Sequence, residues 1–77
     1  MNDDDKINYL QGANVNKQRQ GDEWSPLFVA AMLGRLEVTL LLVQAGADTR
    51  LQDTEERTAD MVARMYGHHM VADIINR

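Results

Sequence analysis

The chain has 77 residues, twelve acidic against eight basic side chains for a net charge of −4, and no cysteine. This length allows one small domain whose core supplies roughly 3–5 kcal/mol of net stability, and without thiols neither a disulfide framework nor a thiolate metal site can staple it. Scattered basic residues exclude the electrostatic footprint of a nucleic-acid binder, and no apolar run, Val38 to Val43 with its threonine included, approaches the ~20 residues that span a bilayer. A polar, acidic start carries no secretory pattern, so the expected setting is intracellular, with cytosol and nucleus undistinguished.

In chain order, residues 3–11 read as a first helix. Asn2 or Asp3 serves as N-cap and Asp3-Asp4-Asp5 lies where negative charge favours a helix start. Gly12 ends it. From Val15 to Trp24 the residues are polar and turn-forming, with Gly21-Asp22 near the tip of a projecting hairpin-like loop. Ser25 and Pro26 then open a helix over 26–33, with the proline in the first turn, where its missing N–H costs nothing. Gly34 breaks that helix. Val38, Leu41, Leu42 and Ala45 recur at i, i+3, i+4 and i+7 and mark a second helix over 36–45. A second loop covers Thr49 to Arg57. Helices over 59–66 and 69–76 follow, with Thr58 as cap, Gly67 between them, and Val71, Ile74 and Ile75 as the buried stripe of the last. The rest of that last helix, His68, His69, Asp73, Asn76 and Arg77, is polar, as the outer face of a terminal repeat is.

The second half restates the first. Thirty-three residues beyond Ser25, Gly34, Leu41 and Leu42 stand Thr58, Gly67, Ile74 and Ile75, and a fixed period of this kind marks an array. Ser25-Pro26-Leu27, Ala30-Ala31, Gly34, Leu41-Leu42 and Gly46-Ala47-Asp48 resemble the ankyrin repeat family in identity and spacing over nearly the whole chain. The resemblance implies an all-α solenoid of stacked helix-loop-helix units with projecting hairpin-like loops. On it the chain is a single domain, 1–77, made of a partial first repeat (1–16), a full repeat (17–50) and a C-terminal capping repeat (51–77). There are departures. Phe28 and Met61 stand where the family places a hydrogen-bonding histidine, Asp60 replaces the buried leucine matched by Leu27, and Glu56 holds a position usually given to a left-handed glycine, whose counterpart in the first loop is taken as a displaced Gly21.

No catalytic constellation is present in the pattern. His68, His69 and Asp73 offer too few ligands on one helix for a closed metal site. The close acidic pairs, Asp22-Glu23 and Glu55-Glu56, lie on open loops, and no nucleophile has a base beside it. No cofactor is expected. The resemblance implies a non-catalytic module that binds a protein through its loops and first helices, and carried over residue by residue this surface comprises Asp22, Trp24, Met32, Leu33, Glu55, Arg57, Met65 and Tyr66, with Gly21 and Thr54. Trp24, the single tryptophan, is expected to stand exposed at a loop edge as an anchor. Apolar anchors within an acidic rim suit a peptide with apolar residues flanked by lysine or arginine. The alternative is structural: a self-associating piece of a longer array. In that case a homo-oligomer would form through the N-terminal side, where the helix of residues 3–11 lacks its repeat partner.

Overall fold

The computed structural model describes residues 15–76. The helix expected over 3–11, the partial first repeat and the N-terminal association surface lie in whole or in large part outside the described residues. Four helices are present among those described: α1 (Pro26–Leu33), α2 (Leu36–Gln44), α3 (Ala59–Met65) and α4 (His69–Ile75). They match the four expected there to within one residue at each end, and no strand occurs among the described residues. α1 packs antiparallel-fashion with α2 through a two-residue elbow, α3 pairs in the same way with α4, and the second pair stacks on the first, α3 on α1 and α4 on α2.

Each elbow is built by one turn chemistry used twice. At Gly34 (φ 69°) the amide donates to Ala31 and the next amide, of Arg35, reaches back to Ala30; at Gly67 (φ 80°) the amide donates to Arg64 and that of His68 to Ala63. Both glycines occupy the left-handed region that closes such helix ends. Gly34 is constrained further. The His68 ring lies over it, so that a Cβ there would meet the imidazole at 2.5 Å. His68 Nε2 donates to the Met32 carbonyl at 3.1 Å, which requires the proton on Nε2 and ties the second elbow to the end of α1.

The core is thin and built mainly of short side chains. Leu27, Phe28, Leu42, Val15 and Val62 are essentially fully buried, with Ala30, Ala31, Ala59, Ala63 and Ala72 letting the helices approach closely. In α2 the expected stripe is only partly enclosed. Leu42 is buried and Val38 and Ala45 are half-buried, but Leu41 is exposed, because the stripe is wider than the surface that α1 and α4 cover. Thr39 fills the remaining buried position and returns its hydroxyl proton to the Arg35 carbonyl, the i−4 bond that lets a threonine sit inside a helix. In α4 Val71, Ile74 and Ile75 are all buried, as the pattern predicts. Ser25 and Thr58 hold the N-cap positions, yet neither hydroxyl caps its helix. Thr58 donates instead to the Asp60 carboxylate, which lies half-exposed in the first turn of α3, where negative charge is favoured.

Candidate functional site

The two loops project from the N-terminal ends of α1 and α3. In the first, the Arg19 amide bonds to the Trp24 carbonyl and the Glu23 amide to the Arg19 carbonyl; in the second, Asp53 pairs in the same way with Arg57 and Glu56. The first loop encloses one more residue than the second, as the spacing predicts. The left-handed position in each is taken by a glutamate: Glu23 and Glu56, 33 residues apart, both have φ of 63°. The displaced-glycine expectation is thereby corrected, for Gly21 has positive φ too but lies two residues before the equivalent site. Matching glutamines brace both turns, Gln18 Nε2 donating to the Glu23 carbonyl and Gln52 Nε2 to that of Glu56.

Asp53 holds the loops together. Its side chain is 1% exposed and accepts four hydrogen bonds: Oδ1 from the amides of Glu55 and Arg57, Oδ2 from Trp24 Nε1 at 3.1 Å and Arg57 Nε at 3.0 Å. Burial pushes its pKa upward, and these donors, the Arg57 amide foremost, more than reverse that and hold it below the usual carboxylate value. The Thr54 amide bonds to the Asp22 carbonyl and Gln18 Nε2 also reaches the Gln52 carbonyl, while Asn16 Oδ1 accepts the Asp48 amide. These bonds join one layer to the next in place of those that histidines at Phe28 and Met61 would have made.

The expected exposure of Trp24 is incorrect. Its ring is 9% exposed, tilted against Phe28 with centroids 6.0 Å apart, covered by the Arg19 guanidinium at 5.5 Å and fixed by Asp53. The cause is the buried carboxylate, which gives the indole N–H a partner inside the stack and removes any need for solvent at that end. Asp22 and Arg57 are also paired within the chain, Asp22 at the loop surface and Arg57 on the buried Asp53. Arg19 forks onto Asp22 through Nε and Nη2, at 2.8 and 2.6 Å, and its hydrogen bond lowers the Asp22 pKa to about 2. Arg57 is half-buried on Asp53, with Nη1 turned to Met65 Sδ at 3.7 Å.

What remains open is the rest of the expected surface. Leu33 ends α1, Met65 ends α3 and Tyr66 follows it as C-cap, and these side chains are 54%, 59% and 54% exposed. Met32 is half-buried. Glu55 is exposed at the loop tips together with Glu23 and Glu56, and none of the three forms an ion pair among the described residues. Sequence reasoning passed over Asp53. Its one local signal was the capacity of an aspartate to accept the amide two residues on, here that of Glu55, which marks a turn but not a tie to a tryptophan 29 residues away. Among the described residues no group of three potential metal ligands converges, and no helix is long and apolar enough to cross a membrane.

A family model described as "Ankyrin repeats (3 copies)" matches residues 1–76. Among curated proteins the chain is similar to Dauer abnormal formation protein 25 of Caenorhabditis elegans, 36% identical over 63 residues that make up 82% of this chain and 16% of that protein. It is also similar to Fibronectin type 3 and ankyrin repeat domains 1 protein of Mus musculus, 41% identical over 49 residues, 62% of this chain and 14% of that protein. The chain thus spans less than a fifth of the length of either relative.

Proposed function

Because this chain belongs to the ankyrin repeat family, whose repeats are generally protein-interaction modules, we propose that it is a non-catalytic binding module whose partner is held on the loop tips and the ends of the first helices. The observation that carries the reading is the position of Leu33, Met65 and Tyr66. All three are more than half exposed, Leu33 and Tyr66 at equivalent places on adjacent layers and Met65 beside Tyr66, where burial by a partner gains the most. Trp24 takes no part in the contact. Its place in the reading is to hold the loops in register through Asp53, so that the surface is preformed and binding costs little ordering. Met65 and the half-buried Met32 supply adaptable packing, and Arg57 bounds the apolar strip on the loop side.

The partner proposed is a peptide segment with apolar anchors flanked by lysine or arginine, in an intracellular setting. Glu23, Glu55 and Glu56 support the basic flanks, since unpaired carboxylates at the rim of an apolar strip steer a cationic partner and set the rate of encounter. Panning the chain against a random peptide library tests this. Enriched peptides should carry Leu, Phe or Met next to basic residues, lose affinity about tenfold or more on Leu33→Ser or Tyr66→Ala, and associate more slowly on Glu55→Lys with Glu56→Lys. Peptides that bind the Leu33→Ser/Tyr66→Ala double variant as tightly as the parent would overturn the assignment.

A further inference from the structure

The outer residues of α3 differ from their counterparts one repeat earlier in a patterned way. In α1, Leu27, Phe28 and Ala31 are 1%, 1% and 0% exposed and Met32 is half-buried, α3 being the layer that packs on α1. Thirty-three residues on stand Asp60, Met61, Arg64 and Met65. Met61 and Met65 are 48% and 59% exposed, Arg64 is exposed and Asp60 half-exposed. This is a mixed face. Two methionines one helical turn apart run beside an acid and a base one turn apart, the acid toward the N-terminal end. Asp60 and Arg64 have the spacing of an intrahelical ion pair but do not form one; Asp60 takes the Thr58 hydroxyl instead. Both charges are therefore presented outward.

Such a face is complementary to itself. If a second copy is laid across it antiparallel, about a two-fold axis, Asp60 of each meets Arg64 of the other and Met61 meets Met65, whereas a parallel two-fold sets the charged row of each copy against the methionines of the other. A two-fold contact needs this kind of patch, in which residue i meets j and j meets i. We propose that the outer face of α3 is the contact of a weak homodimer, its occupant a second copy of this chain. The methionines supply deformable apolar packing and the crossed Asp60–Arg64 pairs set the direction of approach. α3 has seven residues, about 10 Å of helix, so the contact falls at the small end of protein interfaces and the dissociation constant should be on the order of 0.1 mM. Leu33, Tyr66 and the loop tips are not used, but Met65 is common to both surfaces, so a dimer formed this way covers one edge of the peptide surface.

Sedimentation equilibrium over about 20 µM to 2 mM tests the proposal. The apparent mass should climb from 8.7 kDa toward twice that value, and the side-chain methyl signals of Met61 and Met65 should shift with concentration while that of Met32 stays still. Met61→Glu should leave a monomer throughout. Arg64→Asp should weaken association about tenfold, and Asp60→Arg combined with Arg64→Asp should restore it to within about threefold, because the crossed pairs are re-formed with signs exchanged. Far-UV circular dichroism checks that each variant is folded, and if the exchanged variant is not, the methyl shifts of the unaltered chain decide. A constant mass up to 2 mM, a dimer that survives Met61→Glu, a folded exchanged variant that stays monomeric, or concentration shifts confined to other methyls would each overturn the assignment.

Discussion

Asp53→Asn is the substitution that most directly tests how the two layers are joined. The carboxylate has two acceptor oxygens, each receiving two donors, so an amide of the same shape must present its NH2 to one donor pair whichever way it turns. Two of four hydrogen bonds are lost, and two donors are left facing donors. Arg57 is partly exposed and can take water, but Trp24 Nε1 cannot without opening the stack. A hydrogen bond to a charged group contributes about 1.5–3 kcal/mol, and the easier burial of a neutral amide returns part of the loss, since desolvation opposes the carboxylate. The net expectation is a loss of about 2–3 kcal/mol. Against the roughly 3–5 kcal/mol available to a domain of this size, that leaves about 1% to about one half of the chain unfolded at 25 °C and lowers Tm by about 10–20 °C. Urea titration followed by Trp24 fluorescence and by circular dichroism gives the number, and native emission should shift in wavelength as the indole N–H loses its anion. An Asn variant within about 0.5 kcal/mol of the parent would refute the reasoning, because the hydrogen bonds would then do no more than cancel the desolvation of the charge.

Other consequences can be checked in the same titrations. Glu56→Gly should stabilise by about 0.5 kcal/mol, and Glu23→Gly by a similar amount, since the left-handed cost of about 1–2 kcal/mol at φ 63° is relieved while glycine adds about 0.5–1 kcal/mol of unfolded-state entropy; a loss of stability in either variant counts against the conformation. Gly34→Ala should destabilise by at least about 2 kcal/mol and Gly67→Ala by about 1 kcal/mol, because only the former adds a clash with His68 to the backbone strain. Combined with His68→Ala, the Gly34→Ala cost should shrink toward that at Gly67, and strict additivity would show that the imidazole is not the obstacle. Asp22 and Asp53 both have folded-state pKa values below the ordinary 3.8, so their contribution is complete above about pH 4 and is lost as pH falls through the folded values, that of Asp22 at about 2. Trp24 emission should therefore be flat from pH 8 to 5 and change only in acid; a transition centred near pH 6 would contradict both assignments.

The helical frame was legible because each of its determinants is local. Pro26 starts a helix, Gly34 and Gly67 stop one, and Val71, Ile74 and Ile75 keep a helical period, so the bounds of α1 to α4 could be read to within a residue. The loop region was legible in length but not in chemistry. Nothing near Trp24 announces that an aspartate 29 residues on will reach its nitrogen, and a lone tryptophan at a loop edge reads as an exposed anchor until that partner is placed. Glu23 illustrates the same limit: its left-handed backbone is imposed by the hydrogen bond closing the turn and by Gln18, not by any preference of glutamate. Leu33 and Tyr66 were legible as surface from repeat position, but Met65 was not on that ground alone, since Met32 at the same position is half-buried. Which of Met61 and Phe28 would be covered could not be read from residue type and required the order of the layers.

Trp24 and Asp53 belong to different repeats, and this bears on how such a chain can be recombined. A repeat array invites treatment as a string of exchangeable cassettes, each bringing a finished loop of its own. Here the first loop is completed by a carboxylate from the second, while in the second loop Arg57 occupies the place of the tryptophan. Exchanging the order of the two units, or grafting either into an unrelated array, would separate an indole from its acceptor and leave a buried anion in search of donors. The heritable unit is therefore the junction, and an insertion or duplication that preserves stability must copy residues 19–57 together.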